Sequence, residues 1–364
     1  MDLLLEIPPP RYVSANALDR KGAQSSQRHL TRGTLWLLVS AGSEADATAS
    51  TQTAASGKML ALEHEFDRIR ELSSDIPCWQ AMFWDNMTVN LKTWLLLDAW
   101  YRSRSLELPR SGVALVPCLD MVNHSTEPNA HYEETAQDEV VLRLKAGCRV
   151  SEGDEVTISY GSDKPMAEML YSYGFIPDDA PEDSVRLDYG PFPDDPLGKA
   201  KLVVFGSRPV LLLKEGRQST TWDCPFSYLK CVNMEDGVAF KVALETDGGH
   251  HLRMFWHDED VTESASDLAS LISGDERWPL FLLRAVTDIQ DRVSEQLERI
   301  KSGIKLADVD GDVVRDRLVD SATKLRQSET RVLESAVHQL DIEVCPCRQS
   351  HSVDIAGALS WAKY

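Results

Sequence analysis

The sequence predicts an α+β protein whose first domain combines small β-sheets with a helical insert and whose second domain is mostly α-helical. Three observations support this fold class. Apolar residues recur at helical spacing over residues 60–101, whereas short β-branched runs bounded by Gly, Pro and Asp follow over residues 113–160. After Ser273 the apolar residues again recur at three- and four-residue steps, in two long amphipathic runs.

The first domain is expected to span residues 1–180 and to open with a short strand before a Pro-rich turn. Residues 41–58 are rich in Ala, Ser and Thr, and this low complexity predicts a flexible surface insertion. A helical insert is expected over residues 60–104. Its tryptophans are interpreted as core residues rather than as an aromatic ligand cage: Trp79, Trp84, Trp94 and Trp100.

The second domain is expected to span residues 181–364, because the segment 178–196 is dense in Pro and Asp and has few periodic apolar positions. It is expected to be mostly helical from residue 274. Short β-branched runs predict strands in both domains, at residues 113–117, 140–144, 155–160, 201–205 and 209–213.

The composition narrows the classes of partner. A formal net charge of −20 over 364 residues makes direct nucleic-acid binding an unlikely main role, since that needs clustered Lys and Arg, and favours a basic, lysine-containing protein segment. No membrane association is expected, because no apolar run approaches the roughly 20 residues of a spanning helix. Seven cysteines without a Cys-x-x-Cys motif are typical of reduced thiols, which predicts the cytoplasm or nucleus.

The chemistry-bearing motifs lie within residues 113–175. They are Pro117-Cys-Leu-Asp-Met-Val-Asn-His-Ser125, Glu152-Gly-Asp-Glu-Val-Thr-Ile-Ser-Tyr-Gly161 and Leu170-Tyr-Ser-Tyr-Gly-Phe175. In this order they resemble the core of SET-domain protein methyltransferases, specifically the Rubisco large-subunit lysine methyltransferase class. The resemblance implies a threaded, pseudoknot-like core, S-adenosylmethionine as methyl donor, a lysine of another protein as acceptor, and a C-terminal domain that binds the substrate protein.

Within this resemblance Tyr160 is the catalytic tyrosine and also contacts the cofactor. Its hydroxyl is expected to orient an amine that burial has made neutral, so that no strong general base is needed. The alternative is an ordinary strand tyrosine. Tyr173 is expected to line the substrate channel and Phe175 the cofactor site, where aromatic faces attract cations. For Tyr173, plain core packing is the alternative.

The other cofactor contacts implied by the resemblance are Asn123, His124 and Arg104. Asn123 has the donor and acceptor functions that adenine recognition or loop locking requires. Arg104 would bind the cofactor carboxylate, with Arg102 as the adjacent competitor. No metal is expected, although one set of side chains has suitable ligand types: Asp120, His124, His131 and Glu133.

One part of the family pattern is missing, because no glycine precedes Gly22 whereas the family begins its SET fold with a Gly-x-Gly strand. The first strand is therefore expected to lack a pairing partner. Because the cofactor site would then be incomplete in this family pattern, two further functions remain as alternatives. One is a catalytically weak SET-fold protein that binds a basic peptide. The other is a protein-histidine methyltransferase. Retention of Asn123, His124 and Tyr160 together favours an enzyme.

Overall fold

The computed structural model describes residues 5–7, 49–85, 89–162, 164–178, 183–217, 219–244, 250–302 and 316–349. The chain divides into two compact units, the first comprising Met1–Pro181 and Ile304–Arg326 and the second Glu182–Gly303 and Gln327–Tyr364. The domain boundaries expected from the sequence, 1–180 and 181–364, stay a prediction. This division differs from them in counting residues 304–326 with the first unit.

The first unit contains the predicted helical insert, followed by short strands. The insert consists of α1 (Ala49–Ser74), α2 (Pro77–Trp79) with a π-helical turn over Gln80–Trp84, and α3 (Leu91–Arg104). The strands are β1 (Leu5–Ile7), β2 (Leu106–Leu108), β3 (Gly112–Ala114), β4 (Asn123–His124), β5 (Ala130–Glu134), β6 (Val140–Leu144) and β7 (Thr157–Ile158), and α4 (Met166–Tyr173) follows.

Residues 49–58 belong to α1 and not to a flexible insertion, so the sequence expectation for 41–58 is wrong in this part. Ala49, Ala54 and Ala55 are strong helix formers. Extending a helix that is already nucleated costs little, so they continue α1 towards its N-terminus. Residues 41–48 lie outside the described residues.

The tryptophans of the insert are less buried than expected. Trp84 and Trp94 are half-buried and pack on the buried Phe66, with ring centroids 5.8 and 6.3 Å from its centroid. Trp79 and Trp100 are 45% and 39% exposed, so their assignment to the core is wrong. Amphipathic helices bury a single stripe, and apolar residues outside that stripe stay at the surface.

The strands of the first unit form small sheets. The largest has the order β1-β6-β5 and is antiparallel, with Leu5 opposite Leu142. Within the described residues β1 lies at the edge of this sheet and pairs with β6. β2 and β3 form a hairpin, whereas β4 and β7 pair in parallel.

The described residues of the second unit form two antiparallel sheets and several helices, of which the two long ones after Ser273 are those predicted from the sequence. The sheets have the orders β10-β9-β8 and β11-β12-β13. Their strands are β8 (Ser184–Asp188), β9 (Val210–Lys214), β10 (Thr221–Asp223), β11 (Val238–Leu244), β12 (His250–Trp256) and β13 (Glu259–Asp260). The helices are α5 (Gly198–Phe205), α6 (Phe226–Cys231), α7 (Leu268–Ile272), α8 (Trp278–Ser302) and α9 (Asp316–Gln349), whose first residues count with the first unit.

The apolar period predicted after Ser273 is confirmed by α8 and α9. Phe281, Ile289 and Val293 of α8 are fully buried and share a core with Leu211 and Leu213 of β9, itself a predicted strand. None of the helices in the described residues is both long and apolar enough to cross a membrane.

The strand predicted at residues 201–205 is wrong, because these residues form the second half of α5. Lys201 is buried and donates to Asp195 Oδ2 at 2.7 Å, in the segment that precedes the helix. Val203 is 65% exposed, so the β-branched run does not mark a buried strand. Gly206, at φ 74°, then ends the helix in the left-handed conformation that glycine adopts without strain.

We predict that Leu211→Ala lowers the free energy of unfolding by about 2–5 kcal/mol, because it leaves a cavity in a fully buried site. Val242→Ala is the matched control, because the Val242 side chain on β11 is 67% exposed. This substitution should lower the free energy of unfolding by less than about 1 kcal/mol. Urea denaturation of both variants measures the difference. Equal losses would contradict the assignment of the core to β9.

Candidate active site

The parallel pair of β4 and β7 brings two distant motifs together. Asn123 lies opposite Thr157 and His124 opposite Ile158. The Ser125 N–H continues the pairing by donating to the Ile158 carbonyl at 3.0 Å. These strands are only two residues long, yet they set the motif that contains Asn123 and His124 beside the residues that lead to Tyr160.

Tyr160 lies at the centre of four aromatic rings, which we call the ring cluster: His124, Tyr160, Tyr173 and Phe175. The Tyr160 centroid is 4.6 Å from Tyr173, 5.2 Å from His124 and 6.4 Å from Phe175. His124 and Phe175 are 6.0 Å apart. All four side chains are half-buried. The structure therefore gathers four of the residues that the sequence assigned to the site.

Local structure brings both C-terminal rings to Tyr160. Tyr173 is the last residue of α4, and Gly174 caps this helix with a φ of 82° and an N–H that donates to Leu170 and Met169 carbonyls. A side chain at this position would meet the steric penalty of the left-handed conformation. Because Gly174 lets the chain change direction within one residue, the Phe175 ring lies in the same cluster as Tyr173.

The Tyr160 hydroxyl donates a hydrogen bond of 2.7 Å to the Val122 carbonyl. Burial, and after it the neighbouring Tyr173, raise the pKa of Tyr160 to about 12, while Arg104 acts in the opposite direction. The phenol thus stays protonated at neutral pH. The hydroxyl can donate a hydrogen bond and orient a neighbouring group, but it cannot act as a base at neutral pH.

Arg104 is the arginine closer to this phenol. Its Nη1 contacts Asp120 Oδ2 at 3.2 Å, and both side chains are 22% exposed. Arg102 instead forms an ion pair with Asp98 on its own helix, at 2.8 Å. The geometry agrees with ranking Arg104 ahead of Arg102 for the site. Its contact with a cofactor carboxylate stays a prediction, because Asp120 already engages the guanidinium.

Asn129, which the sequence interpretation missed, locks the loop that was assigned to Asn123. Its Oδ1 accepts from the Thr157 N–H at 2.8 Å and its Nδ2 donates to the Glu155 carbonyl, also at 2.8 Å. Asn123 is exposed, and its amide donates to the Glu155 side chain at 2.5 Å. Loop locking therefore rests on Asn129, whereas a cofactor contact of Asn123 stays a prediction.

Lys164 and Glu168 were also missed, and they adjoin Tyr173. The Lys164 ammonium forms an ion pair with Glu168 and lies 5.9 Å from the centre of the Tyr173 ring. Burial lowers the pKa of Lys164, but the hydrogen bond to Glu168 and the nearby groups Tyr173, Glu168 and Glu107 together outweigh it, so the pKa is raised. The i, i+4 spacing at the start of α4 was the available signal.

The described residues hold no group of three or more His, Cys, Asp or Glu that could bind a metal.

The backbone conformation after Tyr160 favours glycine, and the Lys164 side chain lies close to this position. Gly161 has a φ of 142°, and a Cβ there would lie 2.8 Å from Lys164 Cε. The Lys164 stem thus lies against the backbone that follows Tyr160. The turn after β7 is thereby fixed to α4, which carries Tyr173.

Comparisons with known proteins identify the fold. Residues 4–161 match the model of the SET domain. SET domain-containing protein 8 of Schizosaccharomyces pombe (strain 972 / ATCC 24843) is 30% identical over 200 residues, which are 54% of this chain and 46% of that protein. The chain therefore spans about half the length of this curated relative.

Solved structures of Rubisco LSMT have the same fold. The structure bound to AdoMet matches with a TM-score of 0.53 at 18% identity, over 87% of this chain and 68% of that chain. The SET domain of LSMT bound to lysine and AdoHcy matches with a TM-score of 0.52 at 18% identity, over 87% and 67%. At this identity the likeness establishes the fold, and it confirms the α+β class expected from the sequence.

We predict that Asn129→Ala destabilises the protein by about 1–3 kcal/mol, because it leaves a backbone N–H and a carbonyl without their partner. Asn123→Ala removes one exposed side-chain contact and should cost less than about 0.5 kcal/mol. Thermal and urea unfolding of the two variants give the comparison. A larger loss for Asn123→Ala would return the locking role to that residue.

The pH dependence of stability should contain a contribution from His124. Its Nδ1 accepts from the Tyr160 N–H at 3.1 Å, and burial lowers the pKa of His124 below the usual 6.5, partly offset by a hydrogen bond to the Ile158 backbone. A lowered pKa means that the folded state favours the neutral ring. This contribution is fully present above pH 6.5 and is lost as the pH falls through the lowered value.

The measurement is the change in melting temperature between pH 7.5 and pH 5.5 for wild type and His124→Gln. The wild type should lose more stability on acidification, because the variant has no imidazole to protonate. Equal losses would show that His124 is not held neutral in the fold.

Proposed function

Because residues 4–161 match the model of the SET domain, we propose that the protein transfers a methyl group from S-adenosylmethionine to a lysine side chain of another protein. The observation that carries this proposal is the ring cluster around the Tyr160 hydroxyl, held on the β4–β7 pair. Solved relatives of the same fold were determined with AdoMet, with AdoHcy and with lysine, which supports the choice of donor and acceptor.

The side chains present fit a positively charged methyl donor. S-adenosylmethionine, when bound, would supply a methyl group on a sulfonium. The faces of Tyr160, Tyr173 and Phe175 and the Val122 carbonyl offer negative potential to such a cation. Arg104 would bind the donor carboxylate in a bidentate manner, in competition with Asp120. Asn123, exposed beside this site, has both functions needed to recognise an adenine edge.

The rings would also prepare the acceptor. A lysine ammonium that enters the half-buried cluster loses solvation, which lowers its pKa and releases its proton to water. The neutral nitrogen would then have a lone pair free to accept the methyl group that S-adenosylmethionine supplies when bound. Tyr160, whose pKa is raised to about 12, keeps its proton and fixes the orientation of the groups around it.

The net charge supports a basic acceptor segment. A chain of formal charge −20 attracts lysine-rich surfaces and speeds their encounter. A histidine acceptor is the alternative target within the same chemistry, because an imidazole could enter the same aromatic walls. The cytoplasm or nucleus stays the proposed location, on the cysteine pattern alone.

A second candidate function is a SET-fold protein that binds a basic peptide without transferring a methyl group. The Arg104–Asp120 ion pair favours it, since the guanidinium that would bind the donor carboxylate is already engaged. Calorimetric titration with S-adenosylhomocysteine separates the two functions. Measurable heat with one site per chain supports the enzyme, and no heat at millimolar ligand supports the binder.

We predict that Tyr160→Phe loses at least about tenfold in methyl transfer, about 1.4 kcal/mol, and retains S-adenosylhomocysteine binding. The lost hydroxyl orients groups mainly at the transition state, so ground-state binding should change little. Tyr171→Phe is the matched control, because Tyr171 lies outside the ring cluster and stacks on Arg102 at 4.8 Å.

The assay uses a labelled methyl donor and a mixture of lysine-rich proteins, followed by acid hydrolysis. Methyllysine in the hydrolysate supports the proposed acceptor, and methylhistidine replaces it with the alternative. Unchanged transfer by Tyr160→Phe, or an equal loss in Tyr171→Phe, would remove Tyr160 from the catalytic role.

A further inference from the structure

In the β11-β12-β13 sheet of the second unit, the described residues cover one edge of β12 only in part. β12 has seven residues and pairs with β11 along its whole length. On its other side β13 has two residues, which lie opposite Phe255 and Trp256 only. No further strand of the described residues flanks β12 there. Within the part of the chain that the structure describes, the segment of β12 before Met254 therefore has an open edge on this side.

The backbone of Leu252 points towards this open side. Two residues further on, the Met254 N–H donates to Thr262 Oγ1 at 2.9 Å, and the Met254 carbonyl accepts from the Val261 N–H at 2.9 Å. Both groups of Met254 are thus directed away from β11. Because antiparallel strands repeat every two residues, the N–H and carbonyl of Leu252 face the same way.

A groove lies along this edge, where the chain leaves β13 and turns into the 3-10 helix Thr262–Asp267. Its volume is about 610 Å³. Leu252 and Leu271 give it apolar walls, and Leu271 is 39% exposed. The remaining lining residues include His251, Val261, Thr262 and Ser264.

The ionised side chains that line the groove include one ion pair and one further carboxylate. Arg253 forms an ion pair with Asp260 at 2.8 Å. The hydrogen bond from Thr262, and then that from Arg253, hold the pKa of Asp260 at about 2, so this carboxylate is ionised and already paired. Glu263 lines the groove without an ion-pair partner among the described residues. Among the described lining residues, the carboxylate of Glu263 is therefore available to a basic group.

We propose that the open edge of β12 binds an extended, basic peptide segment of a protein partner, which adds a strand where β13 ends. The N–H and carbonyl of Leu252 would form the main-chain bonds, Leu252 and Leu271 would contact an aliphatic side chain, and Glu263 would pair with a Lys or Arg. The alternation of basic and aliphatic residues follows from the period of two along a strand. This surface lies within the second unit and is independent of methyl transfer.

The first test uses a fluorescein-labelled octapeptide of alternating Lys and Val, with anisotropy measured on the full chain without methyl donor. Two N-methylated versions probe the strand pairing, one modified at every Lys amide and one at every Val amide. Only one edge of an added strand faces β12, so one version should bind about tenfold more weakly and the other as the parent. Equal binding by both, or no binding of the parent at millimolar peptide, would overturn the proposal.

The second test locates the site with a pair of charge reversals. Glu263→Lys should lower the affinity for the parent peptide at least fivefold. Glu276→Lys makes the same charge change at an exposed position outside the groove and should weaken it less than twofold. Equal losses would show non-specific attraction to an acidic chain and overturn the proposal.

Hydrogen exchange supplies the third readout. The parent peptide should slow the exchange of residues 250–253, and unchanged exchange there would contradict strand addition.

Sedimentation of the chain alone tests a different occupant. Self-association that Glu263→Lys abolishes would assign this edge to a second copy of the chain and overturn the peptide proposal.

Discussion

The candidate site depends on a parallel pairing that is only two residues long. Asn123 and His124 align with Thr157 and Ile158, and side chains extend the pairing at both ends. At one end Asn129 bonds the backbone before and within β7. At the other end His124 accepts from the Tyr160 N–H. Short strands pair weakly by themselves, so these side-chain bonds fix the position of Tyr160.

This constraint explains why the chemistry proposed here relies on position. The Tyr160 phenol donates to the Val122 carbonyl, is enclosed by rings and has a pKa raised to about 12, so it is a fixed donor in a region of low polarity. Such a group orients reactants without a proton transfer of its own. The Lys164–Glu168 pair adds a fixed charge beside Tyr173, and glycine at 161 lets the Lys164 stem lie against the turn.

The sequence predicted the parts of the site that reside in ordered motifs, and it missed the parts that depend on long-range contacts. Tyr160 and Phe175 were identifiable because their neighbours form a recognisable pattern. Asn129 was not, since an asparagine after a proline is common in turns and only the folded chain sets it beside Thr157. In the second unit the run around Val203 was taken for a strand, because propensity could not reveal that Lys201 is buried against Asp195.

The most direct test of the account is whether the ring cluster receives the methyl donor. Tyrosine rings labelled with carbon-13 can be followed by NMR during titration with S-adenosylhomocysteine, with assignments from Tyr160→Phe, Tyr173→Phe and Tyr228→Phe. The account predicts that the Tyr160 and Tyr173 resonances shift, whereas Tyr228, which stacks on Trp278 at 5.2 Å in the second unit, does not. Unshifted Tyr160 and Tyr173 resonances at saturating ligand, or a shift confined to Tyr228, would contradict it.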